Sequence, residues 1–388
     1  MEKIRNKRIA IIGGGPGGLT LARLLQMNGA DVKVYERDLN KDARVQGATL
    51  DLHEESGLRA IREAGLMDAF KANYRPGADK IRITDKHAAI LYDQHDEQGQ
   101  DEAFGDEYFR PEIDRGPLRK VLLASLKSDT VVWNSHFKTM AEVEGSWKLE
   151  FQNGTTALAD IVVAADGANS KIRPFITPLK PFYSGVTIVE GAVYNAETEA
   201  PEIYKLVKGG KVFAFGDEKS LIVSSKGDGS ITFYTGCKTN ESWYKDSKID
   251  FNNIDQVKDW FIKEFIGWDS KWLELFEKAE PHFIPRPQYC MPLDQSWTPL
   301  TNLTMLGDAA HLMPPYAGEG VNMAMLDAVE LCNCLLNPQL PNIHSAIAAY
   351  ESQMLVRFKD VAQMTLDQAD SLHSPNAVSN MLELFNQM

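Results

Sequence analysis

Residues 8–18 read Arg8-Ile-Ala-Ile-Ile12-Gly13-Gly-Gly15-Pro-Gly-Gly18, and the order of residue types in this stretch decides the fold. An apolar run, Ile9 to Ile12, has the composition of a buried strand. It breaks on a glycine cluster in which Gly13, Gly15 and Gly18 keep the G-x-G-x-x-G spacing. A helical pattern carrying Leu19, Ala22 and Leu25 follows, stops at Asn28-Gly29, and gives way to a second strand, Asp31-Val-Lys-Val-Tyr35, ending on Glu36. Strand, tight turn, helix and strand open a parallel, doubly wound sheet. In this arrangement Gly13 permits the turn, Gly15 lets the backbone approach a pyrophosphate, and Gly18 lets the helix pack on the strand. The helix start offers N–H donors and a favourable dipole to phosphates, and Glu36 is placed to accept from ribose hydroxyls. A dinucleotide cofactor is expected.

A second motif lies far downstream, at Gly307-Asp308-Ala-Ala-His311-Leu-Met-Pro-Pro315-Tyr-Ala-Gly318-Glu-Gly320-Val-Asn322. The strand Thr304-Met-Leu306 delivers Asp308 to a sheet edge, where a carboxylate can bind ribityl hydroxyls. A helix starting near Gly320 can stabilise negative charge on a reduced flavin. This second element favours FAD over NAD. A third element, Asp160-Ile-Val-Val-Ala-Ala-Asp166-Gly167-Ala-Asn-Ser170-Lys-Ile-Arg173, reads as a buried strand running into an Asp-Gly turn. His311 lies inside the turn and is expected to be hydrogen-bonded and structural rather than a base.

Composition bounds the alternatives. The chain has 388 residues, 44% hydrophobic and 24% charged, as in an ordinary two-domain globular protein. A net charge of −13 argues against nucleic acid or an anionic membrane as partner. Met1–Lys7 is short and charged, without an apolar leader, and no apolar run has bilayer-spanning length, so a cytoplasmic location is expected. Cys237, Cys290, Cys332 and Cys334 form no C-x-x-C pair; reduced thiols, no metal site and no disulfide chemistry are expected.

Helices are expected at 54–71, 116–127, 255–266 and 270–279, and strands at 130–133, 147–151 and 157–164. The polar stretch 92–107 reads as a surface excursion. Between 176 and 289, alternating runs at 186–194, 203–207, 211–215, 220–224 and 230–236 predict a mostly antiparallel sheet with one face open to a ligand. From 320 onward the chain reads as helical, with a stripe of Ile343, Ile347, Tyr350, Met354, Phe358 and Val361 facing the core.

The three motifs, in this order and spacing, resemble the class A flavin monooxygenases, the flavoprotein aromatic hydroxylases. Ala10-Ile-Ile-Gly-Gly-Gly-Pro16, Val34-Tyr-Glu-Arg37, Thr49-Leu-Asp-Leu-His53 and Gly307-Asp-Ala-Ala-His-Leu-Met-Pro-Pro315 are more narrowly similar to tetracycline destructases of the TetX type. The resemblance spans nearly the whole chain, strong in the cofactor domain and thin over 176–289.

It implies an α/β fold: a Rossmann-like FAD-binding domain (1–72, 106–175 and 290–336), a mainly antiparallel substrate domain (176–289, with an excursion at 73–105) and a C-terminal helical segment (337–388). It further implies FAD contacts from Glu36, Arg44, Asp51, Arg115 and Asp308, with Arg44 also associated with NADPH. Arg37, Asp166, Gly318, Gly320 and Asn322 are expected to border the same cofactor. A nicotinamide donor (NADPH or NADH) would dock transiently, since no second G-x-G-x-x-G is present. A flavin C4a-hydroperoxide would then hydroxylate a ring-containing, aromatic or polyketide-like substrate, tetracycline-type antibiotics included, with oxygen as co-substrate. The flavin carries this chemistry, so no catalytic side chain is assigned, and a monomer is expected. The sequence departs from the tetracycline-degrading members at the expected substrate positions, where Glu190 replaces a glutamine, Lys211 an arginine and Thr232 a histidine. Lysine does not reproduce arginine's fork, and a carboxylate repels an anionic enolate. A flavin-bearing sequestration protein and an NAD-linked dehydrogenase are the competing readings; the second leaves the Gly307-Asp308 element without a use.

Overall fold

A computed structural model describes residues 2–43, 49–96, 104–106 and 109–386. The chain forms two compact units: residues 1–74, 103–182 and 290–363 in the first, and 75–102, 183–289 and 364–388 in the second. The residues 337–388, expected as one segment, are divided between them after 363.

The first unit is organised by a five-stranded sheet in the order Leu303–Met305, Ile161–Ala164, Arg8–Ile12, Asp31–Tyr35, Val131–Val132. Every pairing in it is parallel, with Ile9 opposite both Ile161 and Val32. Ile11, Val162, Val163 and Ala164 are fully buried, which is why strands Arg8–Ile12 and Ile161–Ala164 read as continuous apolar runs, whereas Asp31–Tyr35 alternates with Val32 and Val34 inward. The helix Pro16–Met27 packs against the helix Gly320–Leu336. A Cβ at Gly17 would lie 2.7 Å from the Ala324 carbonyl oxygen, so the two helices cross with no room for a side chain. Two chain segments some 300 residues apart are thereby locked side by side. A three-stranded antiparallel sheet (Phe137–Val143, Ser146–Phe151, Thr156–Ala159) and the short pair Thr49–Asp51 with Glu112–Asp114 complete the unit.

The second unit carries a seven-stranded sheet in the order Ile284–Cys290, Phe182–Val193, Ile231–Lys238, Lys219–Ser225, Lys211–Gly216, Ile81–Asp85, Ile90–Asp93. From Phe182–Val193 to Ile90–Asp93 the pairings are antiparallel except where Lys211–Gly216 runs parallel to Ile81–Asp85. One face, with Val189, Val212, Val223 and Phe233, packs on a core built from Phe261, Phe265, Trp272, Phe276 and Phe283. Phe261 stacks on Phe276 at 4.1 Å, and Phe233 meets Phe276 edge-on at 5.1 Å.

Several expected elements differ. Residues 203–207, read as a strand, belong to the helix Pro201–Val207: Pro201 pre-sets the first turn and Lys208, at φ +52°, ends it. The helix expected over 54–71 is two, Gly57–Glu63 and Met67–Lys71, because Gly65 adopts φ +70°. The segment 270–279 is a 3₁₀ turn at Ser270–Trp272 followed by Leu273–Glu277. The run 157–164 divides at Asp160, whose carboxylate accepts from Arg8 Nη2 and from the Arg8 backbone N–H, both at 2.8 Å. Strands Ile81–Asp85, Ile90–Asp93 and Phe137–Val143 were not anticipated; the rest of the expected excursion, 97–103 and 107–108, lies outside the described residues. In the helix Ile343–Leu372 the core stripe holds at Ile347, Tyr350, Met354 and Phe358, after which Ala362 rather than Val361 faces inward. Among the described residues no helix is long and apolar enough to cross a membrane, and no cluster of His, Cys, Asp and Glu could hold a metal.

Candidate functional site

The glycine turn of the first unit is built as its spacing requires. Gly13 adopts φ +114°, and a Cβ there would lie 2.1 Å from the Ala165 carbonyl oxygen. At Gly18 a Cβ would lie 2.2 Å from the Gly13 carbonyl oxygen. Gly15 is different: nothing stands within 4 Å of its Cβ position, so the turn opens onto free space at the residue expected to meet a pyrophosphate. The N–H groups of the first turn of helix Pro16–Met27 point there without intrahelical acceptors. Glu36 is buried at the strand end, where its Oε2 accepts from the Gly14 N–H at 2.5 Å and its Oε1 from the Asp38 N–H at 3.0 Å. Its carboxylate therefore braces the turn. Arg37 is exposed just beyond it, and Arg44 lies outside the described residues.

The Asp166 and Asp308 elements meet through a residue that the motif reading left without a role. Arg173, buried at 6% exposure, donates from Nε to the Ala309 carbonyl (2.7 Å) and from Nη2 to the carbonyls of Asp308 (2.8 Å) and Ala168 (3.2 Å). An arginine after an Asp-Gly turn looks like a surface charge in sequence; the density of backbone acceptors around it becomes visible only in three dimensions. Asp166 accepts from the Lys171 N–H at 2.8 Å, while its Oδ1 is buried with no hydrogen-bond partner among the described residues. Burial pushes its carboxyl above the usual range, against the hydrogen bonds it receives. Asp308 begins the short helix Asp308–His311. Burial likewise raises its carboxyl, opposed by the charges of His311, Arg115 and Arg173. Arg115, the first residue of helix Arg115–Ala124, thus stands close enough to Asp308 to act on it.

Behind Asp308 lies a buried network. Asp327 accepts from the Gly307 N–H (2.8 Å), meets His311 Nε2 (2.5 Å) and accepts from Arg357 Nη2 (2.6 Å). Burial disfavours charge on the His311 ring, but the Asp327 carboxylate overcomes it and raises the pKa. His311 also lies over Phe358 at 5.9 Å. Its Nε2 is committed to Asp327, while its buried Nδ1 has no hydrogen-bond partner among the described residues.

The loop after the prolines closes back on residues 51–53. Gly318, at φ +70°, would set a Cβ 3.2 Å from Asp51 Oδ2. Asn322, expected among the cofactor contacts, is wholly buried and its side chain is committed to the protein: Oδ1 accepts from the His53 N–H (3.0 Å), and Nδ2 donates to the carbonyls of Asp51 (3.0 Å) and Gly318 (3.3 Å). Only its backbone can face a ligand. Nothing occupies the space within 4 Å of a Cβ at Gly320, where the helix Gly320–Leu336 begins. Open space at Gly15 and Gly320, first-turn N–H groups at both, and a buried carboxylate oxygen without a partner form a donor and acceptor set that fits a flavin dinucleotide.

In the second unit Glu190, Lys211 and Thr232 share one sheet face. Lys211 stands opposite Ser224, Ser224 opposite Thr232, and Thr232 opposite Ala192; Glu190 lies in the next row, opposite Tyr234. This is the face opposite the aromatic core, but it is less open than expected. His373 stands over it, its Nε2 3.1 Å from Ser220 Oγ, and the helix Ala377–Asn386 packs against strands Ile81–Asp85 and Lys211–Gly216. Apolar side chains on this face, Ile83 among them at 0% exposure, need that cover. Thr232 is buried at 4% exposure, and Glu190 is ion-paired, its Oε2 accepting from Arg286 Nε at 2.5 Å. Arg286, unremarked in the sequence, is exposed and carries the pair toward solvent.

Comparison with known proteins agrees with this geometry. A profile of the FAD binding domain family matches residues 6–279 and 297–365. The chain is 28% identical to monooxygenase penA of Penicillium thymicola, covering 86% of each chain. It is 27% identical to 3-amino-4-hydroxybenzoate 2-monooxygenase PtmB3 of Streptomyces platensis, covering 98% of this chain and 93% of the relative. Among solved structures, Klebsiella pneumoniae HpxO complexed with FAD and uric acid superposes with a TM-score of 0.75 at 20% identity, covering 99% of this chain and 92% of HpxO. The tetracycline destructase Tet(51) superposes at 0.72 and 17% identity, covering 98% and 95%. These two share the fold. The chain belongs to the FAD binding domain family and is an FAD-dependent monooxygenase.

Proposed function

We propose that the protein hydroxylates a small aromatic compound bearing an acidic group, such as a phenol or an aromatic carboxylate, with electrons from NADPH or NADH. The observation that carries the substrate class is the Glu190–Arg286 pair on the face of the second unit's sheet opposite its aromatic core. The guanidinium N–H groups of Arg286 that the pair leaves over suit a single anionic oxygen group better than the extended enolate system of a tetracycline. The aminohydroxybenzoate named for the Streptomyces relative has this chemistry.

Gly13, Gly15 and Gly18 with the first-turn N–H groups of helix Pro16–Met27 hold the pyrophosphate, and Glu36 the adenosine ribose. Asp308 takes ribityl hydroxyls, with Arg115 beside it balancing charge. The backbone from Gly318 to Asn322 faces the ring, where helix N–H groups attract negative charge. Bound there, FAD supplies the redox chemistry that passes nicotinamide electrons to oxygen and one oxygen atom to the substrate. The protein's own part is positioning and exclusion of water. Arg173 and Asp327 fix the Gly307–Ala309 backbone from two sides, and no side chain of the site is needed as nucleophile. We further read the protein as a cytoplasmic monomer.

The test is oxidation of NADPH or NADH by the purified holoenzyme with labelled oxygen, against hydroxybenzoates, aminohydroxybenzoates, hydroxypyridines, neutral phenyl ethers and tetracyclines. Label should enter a hydroxylated product of an acidic aromatic compound. Label appearing only in water or peroxide with every compound contradicts turnover, and preference for the neutral ethers contradicts the substrate class.

A further inference from the structure

Two side chains of different kind join the segment Asp51–His53 to the turn Gly318–Gly320. Asn322 is the neutral one, and its hydrogen bonds already fix both backbones. The other is His53: its Nε2 lies 3.0 Å from Asp51 Oδ2 and its Nδ1 3.1 Å from Glu319 Oε1. An imidazole with a carboxylate oxygen against each nitrogen must carry both protons, because a neutral ring would turn a lone pair toward one of the two anions. A latch alone would not need this cation, since Asn322 latches without charge. The effect of the cation is electrostatic. It cancels one of two negative charges placed at the first turn of helix Gly320–Leu336, where the helix dipole and open N–H groups would otherwise serve an anionic ligand.

We propose that His53 is a positioning residue of the cofactor site, holding Asp51 and Glu319 in place and balancing their charge so that FAD, and most of all its anionic reduced form, is accepted at Gly318–Gly320. The inference rests on the reading above that this turn borders the flavin ring. The groups facing the ring of His53 are Asp51, two residues before it at the end of strand Thr49–Asp51, and Glu319 from the helix head; burial works against the charge, and these two carboxylates raise the pKa to about 9.

The experiment measures FAD affinity, by flavin fluorescence on reconstitution, and the midpoint potential of the bound flavin, from about pH 6 to about pH 10, for the wild type, His53→Gln and Asp308→Ala. The wild type should bind with constant affinity at low pH and weaken by about tenfold as the imidazolium is lost, reversibly on return to neutral pH. His53→Gln should be weaker by a similar factor at neutral pH, with a flat profile and a more negative potential. Wild-type affinity and potential in His53→Gln at neutral pH, or parallel pH profiles for the two proteins, would overturn the proposal. If Asp308→Ala weakens binding while His53→Gln does not, this inference alone fails; if neither does, the placement of the cofactor fails with it. The wild-type profile requires no variant to fold.

Discussion

The charged residues of the two units are held in different ways. In the first, Glu36, Asp327 and Arg173 are buried and bound to backbone N–H and carbonyl groups of the glycine turns themselves. In the second, Glu190 is held by the side chain of Arg286, on a neighbouring strand and near solvent. A side chain tied to backbone cannot be exchanged without rebuilding the loop it holds. A side-chain pair on a sheet surface can be replaced while the sheet stays. On this physical ground the first unit tolerates little change at these positions and the second tolerates more.

Substitutions in the two units should therefore differ in kind and in size. Arg173→Ala removes the common partner of the Asp308, Ala309 and Ala168 carbonyls; it should destabilise the first unit by about 3–5 kcal/mol and abolish FAD binding, read by thermal unfolding and flavin absorbance. Near-normal stability with full flavin would place the tie between the two motifs elsewhere. Gly13→Ala forces a side chain into the Ala165 carbonyl at a left-handed φ. A loss of about 2–4 kcal/mol is expected, together with loss of flavin.

His53 gives an effect that depends on pH. Its pKa is raised from 6.5 to about 9 in the fold, so the stability it contributes is fully present below about pH 6.5 and disappears as pH rises through about 9. The difference in unfolding midpoint between the apo wild type and His53→Gln should be greatest at neutral pH and below, and should shrink toward pH 10. A difference that grows with pH would reverse the sign and contradict the ion-pair reading.

The smallest effect belongs to the second unit. Glu190→Gln should leave flavin content and stability within about 1 kcal/mol of wild type. It should change KM for acidic aromatic substrates by up to about tenfold, because Arg286 is released from its partner. Loss of flavin from this variant would erase the distinction drawn between the two units.

The same distinction explains what could be read in the sequence. The turn at Gly13–Gly18 and the Gly307-Asp308 element are legible because backbone geometry restricts them to particular residues: a Cβ at Gly13 or Gly18 has nowhere to go. Arg173 and Asp327 were missed because an arginine or an aspartate gives no local sign of the distant carbonyl or N–H it will meet. Asn322 was identified as part of the motif, but its work is to clip two loops rather than to reach out of them. In the second unit the strands Phe182–Val193, Lys219–Ser225 and Ile231–Lys238 alternate and were recognised. The run 203–207 reads as a strand because five residues of mixed apolarity fit either period, whereas Pro201 starts a helix there. The cover that the helix Ala377–Asn386 lays over the second unit's sheet depends on packing alone, and no pattern in residues 377–386 announces it.

Flavin binding by Asp308→Ala tests the central claim most directly, namely that the Gly13–Gly18 turn and Asp308 serve one FAD. Reconstitution titrations followed by flavin absorbance should show one FAD per wild-type chain and affinity weakened by about a hundredfold or more in the variant, with the unfolding midpoint of the apo form little changed. A wild-type chain that stays colourless with excess FAD, or a variant that retains full occupancy, would contradict it.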